Sequence, residues 1–217
     1  MTSKQLLIQH ISGIAVGFDR ILKFEQALAE YTDAPYAIMT DCCTHAIELC
    51  LRHDKIKECS FTPYTYLSIP MTMHKLGIKY DYFPDSLPHR QKWVGEYKFE
   101  GTRIWDSARR LEKGMYRPGT MQCLSFGNGK PLHIGRGGAI LLDDKTAYED
   151  IICMRYDGRD LNISPWQEQK TFRVGYHYKP TIEEAELGVA LLEGLKENPK
   201  EPVFVEYPDL RTITIQD

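Results

Sequence analysis

The 217-residue sequence has no apolar run approaching the roughly 20 residues that a membrane-spanning helix needs. It has no block of basic charge: 27 Lys and Arg stand against 30 Asp and Glu, a net −3. Neither nucleic-acid nor membrane binding is therefore expected. The N-terminus, MTSKQLLIQH, lacks the long apolar core and small-residue cleavage site of a secretory signal, so a cytoplasmic protein is expected. None of Cys42, Cys43, Cys50, Cys59, Cys123 and Cys153 forms a Cys-x-x-Cys pair. Reduced, partly buried thiols are expected rather than disulfides or zinc ligands, and no metal site is assigned. Internal repeats and low-complexity segments are lacking too. With 42% hydrophobic and 26% charged residues, the chain can bury a real core.

That core is predicted to be α/β. Short apolar runs at 36–40, 58–61, 78–83, 102–106, 121–126 and 137–142 read as strands. Helices are expected over 18–31, 44–53, a stretch ending at Gly77, 146–158 and 181–195, the last capped by Thr181 with Glu184 three residues on. Residues 84–101 read as a loop, with WVGEYKF (93–99) as an alternative short strand. Strands alternating with helices predict a three-layer sandwich around a mainly parallel sheet. Residues 1–195 would form one domain, with 196–217 as a tail. In such sheets ligands gather at the carboxyl ends of strands. Those ends carry Asp41 to Thr44, Tyr64 to Tyr66, Asp106, and Ser125 to Lys130.

The most unusual stretch is SFGNGKPLHIGRGG (125–138), a single lysine among five glycines between two apolar runs. A phosphate-binding P-loop is excluded by spacing. That motif needs glycine where Leu124 stands and Ser or Thr where Pro131 stands. A lysine at one strand end and an aspartate at another instead suit pyridoxal phosphate (PLP). The amine can bond the cofactor aldehyde, and a carboxylate can keep the pyridine nitrogen protonated. Thr44, at a helix start, and Ser125 can supply a phosphate cup. Tyr66 can cover the ring.

Here the sequence resembles the DegT/DnrJ/EryC1/StrS family of sugar aminotransferases, which are fold type I PLP enzymes. The family's SFHxxKxLxxGEGG pattern is similar to Ser125-Phe126-Gly127-Asn128-Gly129-Lys130-Pro131-Leu132 followed by Gly135-Arg136-Gly137-Gly138. Its Asp-x-Ala-Gln resembles Asp106-Ser107-Ala108-Arg109. Its SGTAAL block resembles Cys42-Cys43-Thr44-His45-Ala46-Ile47, and its P-x-x-T-aromatic block resembles Pro63-Tyr64-Thr65-Tyr66. Downstream, Gly175-Tyr176-His177-Tyr178 is similar to GYNY. Gly127, Arg109 and Cys42-Cys43 depart from the family's usual residues.

The resemblance implies a reduced fold type I large domain that acts as a transaminase. An amino group would pass from an amino acid, glutamate or glutamine, to a keto-sugar nucleotide. Lys130 would hold PLP as a Schiff base and Asp106 would face the pyridine nitrogen. Cys43, Thr44 and Ser125 would contact the phosphate, Tyr66 would stack on the ring, and Arg109 would lie against cofactor or substrate. His177 would reach the phosphate of a partner subunit, implying a homodimer. The keto-sugar dehydratase branch replaces the lysine with histidine, so Lys130 points away from it. Two alternatives stay open: another PLP reaction through a more open site, and a binding or regulatory module with little catalysis.

Overall fold

The computed structural model describes residues 18–83, 95–197 and 207–215. Helix α1 (Phe18–Thr32) buries Phe18, Ile21, Phe24, Leu28 and Tyr31, a stripe at the three- and four-residue spacing that one helical face requires. Strand β1 (Tyr36–Thr40) follows, then α2 (Cys43–His53) and β2 (Glu58–Phe61). Helix α3 (Ser68–Leu76) ends at Gly77, whose φ of 63° is the left-handed cap that glycine adopts without penalty. The chain continues through β3 (Lys79–Tyr82), β4 (Tyr97–Lys98), β5 (Ile104–Asp106), β6 (Met121–Ser125) and β7 (Gly138–Leu142). Helices α4 (Lys145–Arg155) and α5 (Ile182–Glu197) follow. Residues 93 and 94 of the alternative strand lie outside the described residues; within the described 95–99, Tyr97–Lys98 form strand.

The main sheet has the order β1-β7-β6-β5-β4. Strands β5 and β6 are parallel, while β7 runs against both β1 and β6, and β4 against β5. A parallel pair, β2–β3, joins through Ser60 and Glu100. The expected mainly parallel sheet thus carries two reversed strands. The cause at β7 is the connection: residues 126–137 contain no helix, and a parallel return needs a crossover.

Side chains alternate across the strands into two cores. Ile38, Cys123, Ile140 and Leu142 pack with α2 and α4; Met39, Leu124, Ala139 and Leu141 pack with α1 and α5. Both sheet faces are covered, which is why these strands read as unbroken apolar runs. Thr181 and Glu184 cap α5 reciprocally, at 2.9 and 3.2 Å. Helix α4 ends at Arg155, before the expected Gly158. Its last carbonyls, on Met154 and Arg155, accept the N–H groups of Tyr176 and Tyr178 at 2.7 and 2.9 Å. The GYHY block therefore stops the helix.

A buried ion pair ties α1, β1 and α4. The Glu25 carboxylate accepts from Met39 N at 2.7 Å and from Arg155, which also donates to Met39 O at 2.6 Å. Burial pushes the Glu25 carboxyl up, against the lowering effect of Arg155. Of the tail, residues 207–215 are described and return to the body, with Leu210 N donating to Pro63 O at 3.1 Å.

Candidate active site

The strand-end residues converge on one cavity of about 420 Å³. Its walls include Cys43 and Thr44 at the start of α2, Tyr66 before α3, and Asp106 at the end of β5. Arg109, Ser125 at the end of β6, and Lys130 line it as well. His177 is not among the lining residues. It is 68% exposed and pairs with Asp157 at 2.9 Å. Tyr66 stands at the mouth, 62% exposed.

Lys130 sits after a turn in which its own N–H meets Gly127 O at 3.3 Å, and Gly129 adopts φ 70°. The turn brings its amine into the cavity wall near Asp106, close enough for each to shift the other's proton affinity. Burial, then the nearby Arg109 guanidinium, lower the Lys130 pKa; Cys43 and Asp106 oppose them. A larger fraction is therefore the neutral, nucleophilic amine.

Asp106 is 7% exposed. Burial raises its pKa, opposed by the Ala108 N–H, the Tyr97 hydroxyl and Lys130. Ala108 N donates to Oδ1 at 2.9 Å, and Tyr97 Oη donates to Oδ2 at 2.9 Å. Tyr97 Oη is 2.7 Å from Thr65 Oγ1. This chain of contacts fixes the carboxyl plane.

The start of α2 is set from below. A Cβ on Gly138 would lie 2.4 Å from Cys43 N, so the final glycine of the Gly-x-Gly-Gly run lets α2 begin there. The start of α2 is also braced from outside. Tyr178 O accepts from Asp41 N at 3.0 Å, and the Tyr178 ring stacks on His45 at 3.6 Å. Asp41 pairs with His45 at 2.7 Å and with Arg136 at 2.8 Å. Burial alone would raise the Asp41 pKa, but these partners lower it. Burial pulls His45 down, yet Asp41 and Cys42 outweigh it and hold the imidazole up to about 9. Donor atoms of Asp41, Cys42 and His45 lie within 4.8 Å of one another, a cluster organised by these ion pairs.

Sequence reasoning missed Tyr97 and Tyr207, both on the cavity wall. Tyr97 lies in a two-residue strand, within the stretch read as a loop or, alternatively, as the short strand 93–99. Tyr207 lies in the tail, where no motif signals a site.

A three-layer α/β domain with a lysine and a buried aspartate facing one strand-end cavity is the large domain of a fold type I transferase. The chain belongs to the DegT/DnrJ/EryC1/StrS aminotransferase family, whose model matches residues 9–83 and 111–202. No curated protein matches it. Among solved structures, it is similar to 3-amino-5-hydroxybenzoic acid synthase, with 20% identity and a TM-score of 0.65 over 82% of this chain and 56% of that one. It is also similar to Helicobacter pylori PseC, an aminotransferase of pseudoaminic acid biosynthesis (17%, TM-score 0.66, 91% and 64%). A third likeness is to the GDP-4-keto-6-deoxymannose-3-dehydratase ColD (14%, TM-score 0.66, 89% and 64%). The chain thus spans 56% to 64% of the length of these relatives.

Proposed function

We propose that the chain is a PLP-dependent transaminase that moves an amino group from glutamate or glutamine to a keto-sugar nucleotide. The observation that carries this reading is the placement of Lys130 and Asp106 on one cavity wall with Thr44 and Ser125. The donor set fits the cofactor. Asp106 is a buried carboxyl whose proton affinity a cationic ring N–H would lower, as Lys130 already does. Hydroxyls and the first N–H groups of α2 suit a phosphate.

When bound, PLP supplies an aldehyde for the amino group and a ring that takes up carbanion charge. Lys130 Nζ would hold the cofactor, and as a neutral amine would take and return the proton at the substrate carbon. The Asp106 carboxylate would hold the proton of the ring nitrogen. Thr44, Ser125 and the Cys43 backbone would bind phosphate, and Tyr66 would cover the ring. Arg109 would lie toward the substrate. The cofactor unit would comprise residues 1–195. We place His177 at the phosphate of a second copy in a cytoplasmic homodimer.

The test is a half-reaction. Loaded protein mixed with glutamate and no acceptor should release 2-oxoglutarate, one per site. No keto acid from any amino donor would favour a binding module.

A further inference from the structure

Residues 207–213 lie beyond the last residue matched to the family model, yet Tyr207 at their head lines the cavity. They are docked rather than merely near. Leu210 is buried, its N–H donates to Pro63 O at 3.1 Å, and Asp209 caps the short turn Leu210–Thr212. Pro63 immediately precedes Tyr64, Thr65 and Tyr66, which line the cavity. The strap therefore hangs beside a lining segment of the cavity.

Tyr207, at the start of the described strap, faces two cavity residues. Its hydroxyl accepts from Arg109 Nε at 3.3 Å, with the guanidinium carbon 5.8 Å from its ring centre. Its ring meets Tyr66 edge-on at 6.5 Å. Arg109 is three residues after Asp106 and close enough to Lys130 to depress its pKa, so it stands on the reacting side of the cavity. A guanidinium carries five N–H donors in one plane, so a bond at Nε sets how that plane lies. Such a fork grips a carboxylate with two parallel hydrogen bonds.

We infer that residues 207–213 are an active-site strap, and that Tyr207 positions Arg109 to bind a carboxylate of the amino- or keto-acid substrate. This rests on the transaminase reading and adds to it a positioning residue from outside the family match.

The test uses the full chain loaded with PLP and titrated with maleate, a dicarboxylate without an amino group. Cofactor absorbance reports binding, and hydrogen exchange reports residues 207–213. Maleate should slow exchange at Leu210 in the parent protein. Arg109→Gln should weaken maleate about tenfold or more, the loss expected for a charge-assisted hydrogen bond. Tyr207→Phe, which keeps the ring and loses the hydroxyl, should weaken it severalfold with cofactor uptake unchanged. Leu210→Asp, which cannot stay buried, should match Tyr207→Ala. If cofactor loads on Lys130 but all variants bind maleate equally, the strap proposal is overturned and the transaminase reading survives. If Lys130 takes up no cofactor, both fall.

Discussion

The Tyr97 hydroxyl donates to Asp106 Oδ2 at 2.9 Å, from a strand that runs antiparallel to the one carrying the aspartate. That bond lowers the pKa of a carboxyl that burial raises. Tyr97→Phe should leave the fold intact, at a stability cost of about 1 kcal/mol for the lost hydrogen bond. It should raise the Asp106 pKa. Because Asp106 must be ionised to hold a ring N–H, the acidic limb of the activity profile should move to higher pH. An unchanged limb would remove Tyr97 from the site.

Gly138→Ala should disable the proposed phosphate cup at the start of α2. The new Cβ would meet backbone atoms of Cys42 and Cys43 at 2.4 to 2.7 Å, and backbone cannot swing aside like a side chain. The expected destabilisation is about 1–3 kcal/mol, with a larger loss of PLP affinity. A control at Gly129, where a Cβ would meet nothing within 4 Å, should bear only the strain of its positive φ. Equilibrium binding of PLP to both variants separates the two effects.

The His45–Asp41 pair predicts a pH dependence of stability. The folded-state pKa of His45 is about 9, above the ordinary value of 6.5. Protonation therefore favours the folded state, fully so below pH 6.5, and this contribution is lost as pH rises through 9. Urea midpoints should fall between pH 6.5 and 9, and His45→Gln should flatten that fall. An identical pH curve for the variant would contradict the pairing.

Glu25 and Arg155 offer a test of the buried pair. Glu25→Leu or Arg155→Met alone strands the partner's charge in the core, costing about 3–5 kcal/mol. Replacing both with apolar residues should recover much of that loss. Denaturant melts of the two single variants and the double variant give the coupling directly.

Much of this was legible in the residues. The SFGNGK stretch and the acid ending TRIWD marked Lys130 and Asp106, because a motif and a strand end are local features. The direction of β7 was not legible, since apolar runs carry no direction and the reversal comes from a connection without a helix. Tyr97 escaped because, even with 93–99 offered as a short strand, nothing local in it points to the Asp106 contact, which comes from antiparallel pairing. Tyr207 escaped because its value comes from Leu210 docking on Pro63, a contact far apart in sequence. The stacking of Tyr178 on His45 escaped too, because it comes from the GYHY block folding back across a long sequence separation.

The central claim is that Lys130 is the residue that holds PLP. The most direct measurement is borohydride reduction of the PLP-treated chain, followed by peptide mass analysis. The account predicts a pyridoxyl-phosphate mass on Lys130 alone, and none in Lys130→Ala. An unmodified Lys130, or the same label scattered over surface lysines in both proteins, would contradict it.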